Sequence, residues 1–259
     1  MTSRVMKPIG GYIGQATPPA WMSLGMLDPA QPLPALPPAP FDWIVQIGFH
    51  ESPLEPAGSV ARRVKAQLEA AGWWPRVAAF VYGEEWFERF DAGEFAPYGL
   101  PAGHPEGVHI LRDYLGRQHE QIVAETGKPV LWMTHRVTPD RQPPRSTAFV
   151  GIDAYPVDGQ RFEDFAPLLL ETERHAQHPL VIVARWCKAT SDRQGPRWRE
   201  TSAEPASGWA EGYAWVLKRP QWVALIGFIW NSRPESGLVG LSDMPHARAA
   251  VERALGVTA

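Results

Sequence analysis

The sequence lacks what a disulfide-rich, membrane-spanning or nucleic-acid-binding protein needs. Its 259 residues include one cysteine, Cys187, so an intrachain disulfide and a cysteine-rich zinc site are both excluded. No apolar run approaches the roughly 20 residues of a membrane span, and residues 1–14 lack the apolar core of a signal peptide. The formal net charge is −3, which provides no basic field for nucleic acid. We therefore expect no membrane or nucleic-acid partner, and a location in the cytoplasm or in a non-classically exported assembly.

Tryptophan, by contrast, is abundant. The chain has 12 tryptophans, and the flat faces of these side chains are suited to stacking on sugar rings. The same side chains also pack well in cores and beneath loops. The composition therefore favours a carbohydrate ligand without settling which tryptophans would contact it.

Short apolar runs alternate with helical stretches along most of the chain. Continuous apolar strands separated by crossover helices are typical of a parallel sheet covered by helices. An α/β fold, the (β/α)8 TIM barrel, fits this order best as one domain over residues 1–259, with an open doubly wound sheet as the alternative. The predicted strands are 7–14, 42–49, 77–86, 128–135, 147–156, 179–187 and 222–231. The predicted helices are 59–72, 104–127, 161–176, 207–220 and 244–256.

The N-terminal part of the chain leaves one barrel strand uncertain. An eighth strand could lie in residues 21–36, but this region is rich in proline, which cannot donate to a strand ladder. The proline-rich stretch at about 28–40 is better explained as an extended excursion over the barrel. We therefore predict a barrel with one irregular or missing strand near its N-terminus.

Polar and aromatic side chains follow the predicted strands, whereas the strand starts carry few such groups. Because the active sites of such barrels lie at the carboxyl ends of the strands, these side chains are the candidates for a site. In chain order they are His50, Glu51, Glu84, Glu85, Thr134, His135, Asp153, Tyr155, Arg185, Trp186, Cys187, Trp230 and Asn231.

The alternation of side chains along a strand predicts which way the side chains point at two of these strand ends. Gln46 and His50 share one face of their strand, and a polar face suits the barrel interior. Asp153 and Tyr155 share a face opposite Ile152. We therefore expect Gln46 and Asp153 to point into the barrel.

The segment FVYGEEW (80–86) ends a strand with two adjacent carboxylates, Glu84 and Glu85. Burial and a neighbouring like charge both raise the pKa of a carboxyl group, as a general acid requires. Under strict alternation, Tyr82 and Glu84 lie on one face of the strand, and Gly83 and Glu85 on the other. Only one carboxylate would then point into the barrel mouth, and alternation alone does not settle which.

The order of the later segments resembles a known clan. VAAFVYGEEW, KPVLWMTH, FVGIDAYP, PLVIVARWC and ALIGFIWN are similar to strands four to eight of the (β/α)8-barrel glycoside hydrolases, over residues 77–231. The resemblance implies that Glu84 is the acid/base residue at the end of strand four, with Glu85 as the fallback. It also implies hydrolysis of a polysaccharide without a cofactor, and a sugar site floored by Trp230.

One departure from the clan concerns its second carboxylate. The clan's nucleophile is a glutamate at the end of strand seven, and the segment VARWCKA has none there. Asp153 is the first candidate for the missing partner, and further candidates are Glu51, Asp192 and Glu235. A retaining mechanism needs carboxyls about 5–5.5 Å apart and an inverting one about 6.5–9.5 Å apart, and the sequence leaves both outcomes open.

The remaining strand-end residues are assigned to substrate binding. Two other classes of protein stay open: a non-catalytic carbohydrate-binding or structural barrel in a larger assembly, and a metal-assisted hydrolase using His50, His135 and a carboxylate. Our prediction includes no metal and no cofactor, and it leaves the sugar and the oligomeric state open. The predicted substrate-binding residues are His50, Trp86, His135, Tyr155, Arg185, Trp186, Trp230 and Asn231.

Overall fold

The computed structural model describes residues 7–12, 18–29, 41–47, 56–155, 160–189, 208–230, 232–233 and 237–257. Its strands are β1 (Ile9–Tyr12), β2 (Leu24–Leu27), β3 (Asp42–Gln46), β4 (Val77–Glu84), β5 (Val130–Thr134), β6 (Phe149–Ala154), β7 (Leu180–Arg185), β8 (Cys187–Ala189), β9 (Trp222–Phe228) and β10 (Leu238–Gly240). Its helices are α1 (Ala57–Ala70), α2 (Trp86–Asp91), α3 (Gly107–Thr126), α4 (Phe162–His175), α5 (Ala210–Leu217) and α6 (Pro245–Leu255).

Eight parallel strands close into a barrel. Strands β1 to β7 follow one another around it, and β9 closes the ring between β7 and β1. The short strands β8 and β10 form a separate antiparallel pair. The predicted (β/α)8 barrel is therefore confirmed. No helix in the described ranges is long and apolar enough to cross a membrane.

The uncertain N-terminal strand is present in the structure as β2. Its residues pair in parallel with β1 and with β3, and all four of them are buried. The eighth strand, which the sequence allowed within residues 21–36, is therefore formed by Leu24–Leu27. This segment contains no proline and can join the ladder on both sides. Residues 30–40 lie outside the part of the chain that the structure describes.

Side chains fill the barrel in two layers, as alternation along the strands requires. Inside the barrel, residues such as Ile44, Val81 and Met133 pack against one another. Outside it, residues such as Phe80 and Trp132 pack against the helices. Most of the tryptophans in the described ranges belong to this outer layer.

The connection between β5 and β6 contains no helix in its residues 135–148. A groove of about 640 Å³ lies beside this connection, between its residues 142–146 and α3. None of the predicted site residues lines this groove.

Candidate active site

A β-bulge at the end of β4 determines where the acidic doublet points. Val81 pairs with Leu131 of β5, but Glu84 pairs with Met133, so β4 holds one extra residue between the two pairs. Gly83 accommodates the bulge with a φ of 85°, and a Cβ there would lie 2.7 Å from Leu115 Cδ2. Because the bulge shifts the alternation by one residue, Glu84 takes the inward face beside Met133.

Glu84 is half-buried at the barrel mouth. Its Oε2 accepts a hydrogen bond of 3.2 Å from Nε2 of Gln46, which is on the neighbouring strand β3 and points inward as expected. Burial, and next the charge of Glu85, raise the pKa of Glu84 to about 8, while Arg89 opposes the shift. The carboxyl group therefore holds its proton at neutral pH.

Glu85 reaches the same mouth through an unusual backbone conformation. Its φ of 52° is in the left-handed region, which is uncommon for a residue other than glycine. Its backbone N–H donates to the Met133 carbonyl at 2.9 Å, and its Oε1 accepts a hydrogen bond from His135 Nε2. The strict-alternation argument, which allowed only one carboxylate at the mouth, is thus overturned by the bulge and this left-handed turn.

His135 follows β5 and lies among carboxylates. Burial of the ring opposes its charged form, but the hydrogen bond to Glu85 and the charges of Glu85, Glu88 and Asp153 outweigh burial and raise the pKa of His135. The surrounding carboxylates therefore favour the protonated form of the imidazole.

Asp153 projects inward from β6, as alternation predicts. Its side chain is 3% exposed, and neither carboxylate oxygen has a hydrogen-bond partner among the described residues. Burial, together with the charges of Glu84 and Glu85, raises its pKa well above the ordinary range, while His135 opposes the shift. One ligand atom each of Glu85, His135 and Asp153 lies within 4.8 Å of the others.

Glu88 is part of the site and was missed in the sequence. Its Oε1 accepts hydrogen bonds from Thr134 Oγ1 at 2.9 Å and from the His135 backbone N–H at 3.2 Å. This carboxylate on α2 therefore fixes the backbone that carries His135. The spacing from Glu85 could have identified Glu88 in the sequence, because residues three positions apart in a helix lie on the same face.

Arg185 and Tyr155 lie at the ends of the neighbouring strands β7 and β6. Arg185 is 1% exposed, and its Nε donates to the Cys187 carbonyl at 3.4 Å. Its backbone N–H donates to Tyr213 Oη at 3.1 Å. The Tyr155 ring packs 6.0 Å from that of Phe228. Arg185 is therefore held where β7 ends, which is where the clan places its nucleophile.

The structure does not bring the three predicted sugar-stacking tryptophans to the mouth. Trp86, Trp186 and Trp230 are 3%, 0% and 3% exposed and belong to the outer layer. Trp86 stacks on Tyr114 at 5.7 Å, and the other two each meet Trp21 edge to face. Their faces are occupied by protein. The other predicted residues, His50, Glu51, Asp192, Asn231 and Glu235, lie outside the described residues.

Comparison with known proteins shows what this chain is similar to. No protein-family model and no curated protein matches it. A GH128 (subgroup I) endo-beta-1,3-glucanase mutant from Amycolatopsis mediterranei, in complex with laminarihexaose, aligns over 94% of this chain and 99% of its own, with a TM-score of 0.56 and 15% identity. The GH113 beta-mannanase AaManA from Alicyclobacillus acidocaldarius aligns over 96% and 97%, with a TM-score of 0.54 and 13% identity.

A third similar structure belongs to a larger protein. It is the beta-glucuronidase of Parabacteroides merdae, of which this chain spans only 27%, with a TM-score of 0.48 and 10% identity. At such identities the likeness concerns the fold alone. The chain therefore has the (β/α)8 barrel of glycoside hydrolases, which confirms at the level of the fold the resemblance noted in the sequence.

Proposed function

We propose that this protein is a glycoside hydrolase that cleaves a β-linked polysaccharide by carboxylate acid/base catalysis. The observation that carries the proposal is the bulge at Gly83, which turns Glu84 into the mouth that also receives Asp153. Two similar structures, a beta-mannanase and an endo-beta-1,3-glucanase, make β-linked glycans the first substrates to test.

Glu84 is the proposed general acid. It donates its proton to the glycosidic oxygen as the bond to the leaving sugar breaks. The hydrogen bond from Gln46 orients the carboxyl group, and the raised pKa of Glu84 supports the role because the acid must be protonated before reaction.

Asp153 is the proposed second carboxylate. The transition state of glycoside hydrolysis carries positive charge on the sugar ring. An ionised Asp153 would stabilise that charge, attack the anomeric carbon or activate a water molecule. Burial makes the carboxylate costly in the empty mouth, and the developing positive charge offsets that cost. Glu85 and His135 form the adjacent hydrogen-bonded pair and are assigned to positioning the substrate.

Hydrolysis of a glycan panel tests the proposal. Purified wild type is incubated with β-1,4-mannan and laminarin, and reducing ends are counted. We expect Glu84→Gln to lower kcat/KM by about 10²–10⁴-fold, the usual contribution of a positioned general acid. Glu125→Gln, which replaces a carboxylate on α3 that pairs with Arg62, is the matched control and should retain activity. Full activity in Glu84→Gln would show that another residue supplies the proton.

A non-catalytic carbohydrate-binding barrel is the second candidate. The specific observation in its favour is that β7 ends in Arg185, followed by Trp186 and Cys187, rather than in a glutamate. This candidate predicts that a glycan binds with a measurable affinity and is recovered intact. Binding by calorimetry without any release of reducing ends would favour it over hydrolysis.

A further inference from the structure

We propose that the barrel mouth binds one divalent metal ion through Glu85, His135 and Asp153. The three residues come from the ends of three neighbouring strands, β4, β5 and β6. One ligand atom of each lies within 4.8 Å of the others, so a single ion can reach all three after small side-chain movements.

Asp153 supplies the independent observation that points to a ligand. A carboxylate that is 3% exposed normally accepts several hydrogen bonds, yet neither oxygen of Asp153 has a partner in the described part of the chain. Both oxygens are therefore available to a cation, and the residue projects into the same mouth as the other two ligands.

The charges around the mouth also favour a cation. The charges of three carboxyl groups, Glu85, Glu88 and Asp153, act on His135, and the charge of a fourth, Glu84, acts on Asp153. Glu84 accepts a hydrogen bond from Gln46, Glu88 accepts one from the His135 backbone, and Glu85 accepts one from the His135 ring. A divalent ion would match the charge of the two proposed acidic ligands, Glu85 and Asp153.

The ligand types narrow the choice of ion. One imidazole and two carboxylates form a mixed nitrogen and oxygen set, which suits Zn²⁺ or Mn²⁺ better than Ca²⁺ or Mg²⁺. Glu88 would take the supporting role, because its hydrogen bonds to Thr134 and to the His135 backbone fix the loop that carries the imidazole.

The metal site shares Asp153, Glu85 and His135 with the proposed substrate site, but the two proposals are tested separately. Glu84 is not one of the ligands, and metal binding is measured on the protein alone without any glycan. Loss of the metal proposal would leave the role of Glu84 as general acid untouched. If the protein binds the ion but cleaves no glycan, that result contradicts only the hydrolase proposal.

Calorimetric titration of chelator-treated full-length protein with ZnCl₂ and with MnCl₂ tests the inference. We expect one ion per chain for at least one of the two metals. Asp153→Asn and His135→Gln should each weaken the affinity at least tenfold, while Glu125→Gln should leave it unchanged. Circular dichroism of each variant checks that the fold is retained, and having two ligand variants keeps the test decisive if one fails to fold.

Two results would overturn the metal site. One is the absence of stoichiometric binding of either metal to the wild type. The other is binding to Asp153→Asn and His135→Gln with wild-type affinity, which would place the ion on other acidic residues.

Discussion

Two histidines beside β4, the buried His119 and the half-buried His135, differ in their surroundings. The difference distinguishes a residue that stabilises the fold from a residue of the candidate site. His119 is 0% exposed, donates from Nε2 to the Tyr82 carbonyl at 3.1 Å and accepts at Nδ1 from Thr147 Oγ1 at 3.1 Å. Burial lowers its pKa to about 4, so the ring is neutral. His135 lies among carboxylates, and its pKa is raised.

The two histidines show that the charged groups without matching partners lie at the barrel mouth and not on the outer side of β4. On the outer side of β4, the polar groups of His119 are matched by neutral partners, as stability requires. At the inner end of the same strand, carboxylates lie close together and Asp153 has no partner in the described ranges. A group of like charges is destabilising, and such arrangements are typical of active and binding sites.

The largest predicted effect concerns acid stability and the neutral His119. The unfolded chain protonates this histidine below about pH 6.5, whereas the folded protein resists protonation down to about pH 4. The free energy of unfolding should therefore fall by about 3 kcal/mol as the pH drops through that window, and stay constant with respect to His119 below it. Urea unfolding at a series of pH values measures this slope.

The matched variant for this prediction is His119→Gln. It should be less stable than the wild type at pH 7 and should lack the contribution of His119 to the pH slope. The corresponding variant of the other histidine, His135→Gln, should keep that contribution. An unchanged slope in His119→Gln would show that acid sensitivity arises elsewhere in the protein.

The next largest effect concerns the bulge at Gly83, which lies between the surroundings of His119 and those of His135. Gly83→Ala places a Cβ at a positive φ and 2.7 Å from Leu115 Cδ2. We expect the free energy of unfolding to fall by about 2 kcal/mol, with a loss of any hydrolytic activity because Glu84 is displaced. Gly72→Ala is the control, since its φ of 73° is similar but a Cβ there meets nothing within 4 Å. It should lose stability without losing activity.

The smallest effect concerns Asp153. Here the direction of the change in the free energy of unfolding is more informative than its size. Asp153→Asn removes a buried carboxyl group whose charged form is disfavoured by burial and by the charges of Glu84 and Glu85. In the presence of a chelator, the free energy of unfolding should stay the same or rise by up to about 1 kcal/mol. Urea unfolding at pH 7 measures the difference. A loss of stability beyond about 2 kcal/mol would mean that Asp153 stabilises the fold rather than serving a site.

The sequence predicts most of the barrel because its strands are continuous apolar runs between helices. The inward direction of Gln46 and Asp153 follows from simple alternation, and the structure agrees. The inward direction of Glu84 does not follow from alternation, because a bulge in β4 interrupts the two-residue period of the side chains. Strand β2 is hard to predict because it has only four residues, too few for a clear pattern, in a region rich in proline.

The tryptophans show a second limit of sequence reasoning. Trp186 and Trp230 follow barrel strands β7 and β9 at the mouth, yet both side chains pack on Trp21 in the outer layer. Composition cannot distinguish a ring that stacks on a sugar from one that stacks on another ring. Glu88 was missed because its role depends on the turn at Glu85, which brings α2 back over the mouth.

A crystal structure of the protein with a bound β-glycan oligosaccharide tests the central claim most directly. The account predicts a glycosidic oxygen within hydrogen-bond distance, about 3 Å, of the Glu84 carboxyl group, with Asp153 facing the same sugar ring. The account would be contradicted by a Glu84 side chain that lies outside the barrel beside Tyr82, or by a sugar bound away from the mouth.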